Sequence, residues 1–326
     1  MQAFDYNEAR SSLASVPTIL TVTINPALDR NVTADRLVFE DRAYILNAYE
    51  SAGGRGINAS RVIHSFGGDT LAVLPCGGET GDRLAGFLDS AGFPYEAIRM
   101  QSAVRVNLSI SDQQGLTIKL NERGPLLTPE EIERLEAAIC ARMQGAAWVM
   151  LCGSLPPGVP HDFYARLIRF GCCSGARVLL DTDGDALREG LEARPSVVCP
   201  NQQEAEALLG TVLLTRRHMV EAAEAIRKRG AESVLLSLGS HGALLARPEG
   251  VFEIVPPPVD AVCPIGAGDA LAAAYVWALS SGHSPEEAAR WGVAAGTASA
   301  LLPGIRFATL AQTDEMRRRV EVRRIP

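Results

Sequence analysis

From about residue 146 onward, short apolar runs alternate with helical patterns, and segments 147–152, 178–181, 197–199 and 234–238 read as strands buried on both faces. Helices fill the gaps between them. The clearest begins at Thr128, where Pro129 takes the first helical position and Glu131 closes a capping box. Ile132, Leu135, Ile139 and Met143 then recur at helical spacing, with Gly145 as the stop. This alternation predicts a mainly parallel sheet covered by helices on both faces. Ligands in such open sheets sit beyond the C-terminal strand ends, so the loops after Cys152, Asp181, Cys199 and Leu238 are the places to look for chemistry.

Two segments break the helical alternation. Residues 42–50 and 104–121 have β character, the second with Asp112-Gln113-Gln114-Gly115 as a hairpin turn. They predict a small separate sheet, with one face uncovered by helices, that serves as a ligand lid, a subunit interface or both. The domain reading is a single unit over 17–326, a discontinuous lid from about 36–52 and 103–122, and an N-terminal extension over 1–16. The Arg-rich stretch 317–324 reads as a solvated helix face.

Composition narrows the function. The chain has 326 residues, 47% hydrophobic and 21% charged, an ordinary globular balance. Its 38 acidic and 31 basic residues give a formal charge of -7, which argues against a dedicated nucleic-acid binder or a polybasic membrane protein. An anionic ligand must therefore meet a local basic cluster, built almost wholly from arginine because Lys119 and Lys228 are the only lysines. The longest apolar stretches, such as 271–279, fall short of the ~20 residues of a membrane span, and no signal-peptide pattern is present, so a cytoplasmic protein is expected. Seven cysteines without a CxxC pair read as reduced thiols, with no structural zinc site.

Three motifs carry candidate chemistry. Cys263-Pro264-Ile265-Gly266-Ala267-Gly268-Asp269 runs straight into an apolar helix, so its amides and the helix N-terminus can converge on one negative charge. Asp269 is then either an ordinary cap or a general base beside that anion hole. Ala52-Gly53-Gly54-Arg55-Gly56-Ile57-Asn58 precedes a second helix. It is either a flexible turn or a close approach to a polyhydroxylated ligand, with Asn58 donating to and accepting from hydroxyls. Asn25-Pro26-Ala27-Leu28-Asp29 ends the first strand and leaves a carboxylate there.

Together with Gly153-Ser154-Leu155-Pro156-Pro157-Gly158, Pro200-Asn201-Gln202-Gln203-Glu204, Ser237-Leu238-Gly239 with Gly242, and Pro256-Pro257-Pro258, these motifs make the chain resemble the PfkB-type, ribokinase-like carbohydrate kinases. Within that family it is similar to the hexose-phosphate kinases acting on fructose 1-phosphate, fructose 6-phosphate or tagatose 6-phosphate. The resemblance implies a Rossmann-type α/β sandwich with a β lid, ATP and Mg2+, a small-molecule sugar phosphate, and a homodimer formed through the lids. It assigns Asp269 as the base and Gly266, Ala267 and Gly268 as the anion hole. Asp29, Gly53, Gly54 and Asn58 become sugar contacts; Arg105 and Ser154 hold the existing phosphate, supported by Arg42, Arg55 and Lys119. Asn201, Ser237, Gly239 and Gly242 serve the nucleotide, and Glu204 serves magnesium through water. One departure stands out: Cys199 occupies a position where these relatives usually carry an ATP-facing lysine. An arginine in its place, weaker ATP binding or lost phosphoryl transfer would follow. The rival readings are a kinase for an unphosphorylated sugar or nucleoside, and a non-catalytic regulator that binds nucleotide or sugar phosphate.

Overall fold

The computed structural model describes residues 19–38 and 40–325; the expected extension over 1–16 lies outside the described residues. In chain order the strands are β1 (Ile19–Thr23), β2 (Ala27–Ala34), β3 (Ile45–Gly53), β4 (Thr70–Cys76), β5 (Tyr95–Arg99), β6 (Arg105–Asp112), β7 (Thr117–Asn121), β8 (Trp148–Cys152), β9 (Arg177–Asp181), β10 (Val197–Val198), β11 (Ser233–Ser237), β12 (Ala243–Arg247), β13 (Gly250–Val255) and β14 (Glu321–Ile325). The helices are α1 (Arg55–Ser65), α2 (Gly78–Ala91), α3 (Pro129–Met143), α4 (Phe163–Cys173), α5 (Gly184–Glu192), α6 (Gln202–Leu209), α7 (Arg216–Lys228), α8 (Ala267–Ser280), α9 (Pro285–Ala300) and α10 (Leu310–Arg317).

The large sheet runs β14-β13-β12-β11-β10-β9-β8-β1-β4-β5. Neighbours from β5 through β11 are parallel, and β12, β13 and β14 extend it antiparallel. The period of two along each strand builds a core on either side. In β8, Val149 and Leu151 join Leu135, Leu167 and Ile226 on the α3, α4 and α7 face; Trp148, Met150 and Cys152 join Val62, Ala274 and Ala294 on the α1, α8 and α9 face. The expected capping box at Thr128 and Glu131 opens α3.

Helix α8 is buried almost all round because α9 lies against it at very close range. A Cβ on Gly292 would stand 2.7 Å from the Leu271 carbonyl, and one on Gly296 would stand 2.8 Å from that of Ala267, so only glycine permits this approach. The contact at Gly296 fixes the first turn of α8, which carries Asp269.

The small sheet has four strands in the order β3-β2-β6-β7. Two expectations need correction here. Asp29 does not end the first strand; it lies within β2, a strand pairing β3 antiparallel and β6 parallel. Asp29 and Asn31 have low strand propensity, and pairing on both sides overrides it. Nor is 317–324 one helix face. Helix α10 stops at Arg317, Val320 is buried, and β14 pairs with β13 as an edge strand. Its arginines are structural: Arg317 stacks 4.8 Å from the Trp291 ring and pairs with Glu287 and Asp314.

Because the α8–α9 contact has no room for a methyl group, Gly296→Ala should destabilise the chain by about 1–3 kcal/mol. A thermal melt checks this, and an unchanged Tm would show that α9 does not fix the start of α8.

Candidate active site

The strand ends expected to carry chemistry converge on the N-terminus of α8. Gly266 caps that helix with φ 81°, a conformation glycine supplies without strain. The amides of Gly268 and Asp269 lie in the first turn, beyond reach of the helix's own carbonyls. The Ala267 amide instead donates to the Pro264 carbonyl at 3.2 Å, so in this state it closes a turn. Asn58 Nδ2 donates to Asp269 Oδ2 at 2.7 Å. Burial, and then the Asp181 carboxylate, push Asp269 up to about 7, while Asn58 and Arg55 oppose the shift. A carboxyl titrating there is suited to accept a proton near neutrality.

Beside it, β2 and β3 bring Asp29 against Gly53. A Cβ at Gly53 would sit 2.2 Å from Asp29 Oδ2, so any side chain there would displace that carboxylate. Burial raises the Asp29 pKa, opposed by a hydrogen bond from Asn107 Nδ2 at 2.9 Å and by the charges of Arg105 and Arg61. Nearby, Arg105 and Ser154 each hydrogen-bond to Asn25. Arg105 donates to the carbonyls of Glu122 and Asn25, at 2.8 and 3.1 Å, and Asn25 Nδ2 donates to Ser154 Oγ at 3.2 Å. Several buried polar atoms here have no protein partner: Asn25 Oδ1, Asn58 Oδ1, Asn107 Oδ1 and Arg105 Nε. Buried groups of this kind are almost always satisfied, so the three amide oxygens call for donors such as hydroxyls and Arg105 Nε for an acceptor.

Across the cleft, Arg55 bridges three carboxylates: Asp181 at 2.8 Å, Glu204 at 2.9 Å and Asp183 at 3.3 Å. Asn201 and Glu204 form a reciprocal capping box on α6, and Asn201 forms a parallel bridge to Ser237. The Gly239 and Gly242 turn follows directly. Burial pushes Glu204 upward, opposed by Arg55 and the Asn201 amide. Cys199 is buried against the core, and burial, with Asp181 and Glu204 nearby, keeps its thiol neutral.

Most sequence-expected residues therefore meet in one cleft. Arg42 and Lys119 do not join the Arg105 and Ser154 cluster: both are exposed on the lid, and neither side chain makes a hydrogen bond or ion pair among the described residues. The sequence motifs do not reach Asn107, Asp181 or Asp183, although the strand-end rule points at the loop that follows Asp181. The signal for Asn107 was its place in the alternating lid segment, which by itself resembles any polar strand face. Among the described residues no three His, Cys, Asp or Glu side chains form a metal site of their own, and no helix is long and apolar enough to cross a membrane.

The sequence is similar to ATP-dependent 6-phosphofructokinase isozyme 2 of Mycobacterium tuberculosis, 35% identical over 290 residues, covering 88% of this chain and 85% of that protein. It is also similar to 1-phosphofructokinase of Rhodobacter capsulatus, 32% identical over 303 residues, covering 90% and 96%. The fold matches phosphofructokinase-2 from Escherichia coli in complex with fructose-6-phosphate, with TM-score 0.86 at 32% identity, covering 93% of this chain and 98% of that one. Ribokinase from Arabidopsis thaliana shares the fold alone, with TM-score 0.76 at 21% identity, covering 93% and 99%. The profile of the pfkB family carbohydrate kinases matches residues 24–311. With that match spanning most of its length, the chain belongs to the pfkB family of carbohydrate kinases.

Proposed function

We propose that this chain transfers the γ-phosphoryl group of ATP to a primary hydroxyl of a ketohexose phosphate, yielding ADP and a bisphosphate. The observation that carries the reading is the pairing of two sites in one cleft. A carboxyl poised near neutrality sits at the N-terminus of α8, and the Arg105 and Ser154 cluster suits a phosphate already on the sugar. Asp29, Asn58 and Asn107 orient the hydroxyls between them. The Asp269 carboxylate takes the acceptor hydroxyl's proton as the hydroxyl oxygen bonds to the γ-phosphorus, and the bond to the ADP oxygen breaks. Charge on the transferring oxygens is met by the first-turn amides of α8, since phosphoryl transfer depends chiefly on positioning and electrostatics. Ser237, Gly239 and Gly242 cradle the nucleotide.

Magnesium fits this donor set indirectly. Mg2+ usually keeps waters and takes one or two carboxylates plus substrate phosphates. Glu204 and Asp181 are the carboxylates for that role, and the ion supplies charge neutralisation on the phosphates when bound. A free sugar or nucleoside would leave Arg105 Nε and its cluster without an anion, which favours the sugar-phosphate reading. Arg42 and Lys119, on the exposed lid, can add charge only where the lid closes or a second lid approaches.

The lid also supports a homodimer. One face of its strands is polar, with Asp29, Asn31, Asn107 and Ser109; the other carries Val32, Leu108, Ile110, Ile118 and Leu120. On that apolar side Ile45 is 62% and Leu120 is 55% exposed, an edge surface that a two-fold partner would cover. Ile45→Asp with Leu120→Asp should convert a dimer to monomer in sedimentation. A parent chain that sediments as a monomer at micromolar concentration would overturn the lid interface.

Asp269→Asn should lower kcat about 10²- to 10⁴-fold, with the sugar-phosphate KM within a few-fold. In the parent, kcat/KM should climb as pH rises through about 7, because the base must be ionised. A flat profile from pH 5 to 9, or an active Asn variant, would make Asp269 a cap. Arg105→Ala should raise the sugar-phosphate KM about 10- to 100-fold with little effect on the ATP KM, since it removes charge-assisted hydrogen bonds. Equal KM changes for both substrates would remove Arg105 from the phosphate site.

A further inference from the structure

The nucleotide side of the cleft has an unusual charge balance. Asp181, Asp183, Glu204 and Asp269 all face it, and Arg55 is the cation that meets them, pairing directly with the first three and acting on Asp269 through space. Cys199 lies by the same two carboxylates, Asp181 and Glu204, and adds no charge. A polyphosphate entering this field meets net repulsion unless a cation turns toward it.

Arg55 has the geometry to do that. It is the first residue of α1, so its Cα is fixed by the helix, while its side chain crosses the cleft and keeps 30% of its surface exposed. Its ion pairs occupy Glu204 Oε1, and the Asn201 amide occupies Oε2. The guanidinium therefore stands beside Oε1 and competes there with any hydrated metal.

We propose that Arg55 is an exchangeable counter-ion of the nucleotide site: without nucleotide it neutralises Asp181 and Glu204, and when metal-bound nucleotide arrives it transfers to the phosphate oxygens. The inference rests on the kinase reading above and adds the residue that admits the nucleotide. A guanidinium suits the exchange because its fork matches carboxylate and phosphate alike. Arg55 is a positioning residue for ATP, and it also competes with a divalent ion for the same carboxylates.

That competition gives effects of opposite sign. By calorimetry, Arg55→Gln should weaken binding of ATP with Mg2+ about 10- to 100-fold, the size of a lost charge-assisted contact, and leave sugar-phosphate affinity within twofold. In the same variant without nucleotide, Mn2+ should bind several-fold tighter, because the carboxylates have lost their internal cation. Arg55→Lys should retain ATP affinity within a few-fold. A variant with unchanged ATP and Mn2+ affinities, or with its loss confined to the sugar phosphate, would overturn the proposal. Should Arg55→Gln fail to fold, Cys199→Lys in the parent serves instead. A lysine there should weaken ATP binding several-fold, since it meets the like charge of Arg55; unchanged or tighter binding would show that Arg55 does not supply the charge at that strand end. A parent that binds no ATP overturns the kinase reading itself, whereas ATP binding indifferent to residue 55 overturns this inference alone.

Discussion

The architecture turns on keeping one carboxyl buried, oriented and still able to ionise near neutral pH. Burial raises the Asp269 pKa and Asp181 raises it further; Asn58 and Arg55 restrain the rise. Without such restraint a desolvated carboxyl among like charges would stay protonated and could take no proton from a substrate. The balance needs four elements at once: α8 for the carboxyl, α1 for Asn58 and Arg55, β9 for Asp181, and β2 for Asp29. That is why the site lies where the parallel strands end, the one edge of the sheet where all four meet.

The scaffold serves this balance through close packing. Gly292 and Gly296 let α9 seat the base of α8, and Gly53 leaves room for the Asp29 carboxylate. The lid then adds a polar wall, with Asp29 and Asn107 on β2 and β6, while its opposite face stays apolar. The proposed sugar contacts and the proposed subunit contact therefore fall on opposite faces of one sheet, which follows from the period of two.

Much of this was legible in the sequence, and the reasons differ by element. The parallel core strands were legible because uninterrupted apolar runs have few alternative structures, and α3 was marked by Thr128, Pro129 and Glu131. Strand β2 was hidden because Asp29 and Asn31 favour turns, and only pairing with β3 and β6 makes them extended. The C-terminal arginines suggested a helix face, since nothing local reveals that β13 offers an edge to pair with. Asp269 and Asn58 stand out through glycine-rich motifs, and Asp29 through the Asn25–Asp29 motif. Asp181 and Asp183 do not, because an aspartate at a strand end has no distinctive neighbours and acquires its meaning from Arg55, 126 and 128 positions earlier. Long-range charge pairing of that sort has no local signature.

The central claim is the transfer of a phosphoryl group to a sugar that already carries one. Phosphorus-31 NMR of the purified chain with ATP, Mg2+ and, in turn, fructose 1-phosphate, fructose 6-phosphate, tagatose 6-phosphate, fructose and ribose measures it directly. The account predicts ADP and a second phosphomonoester signal on at least one ketohexose phosphate, with fructose and ribose turned over far more slowly. Release of inorganic phosphate alone, or equal turnover of free and phosphorylated fructose, would contradict it.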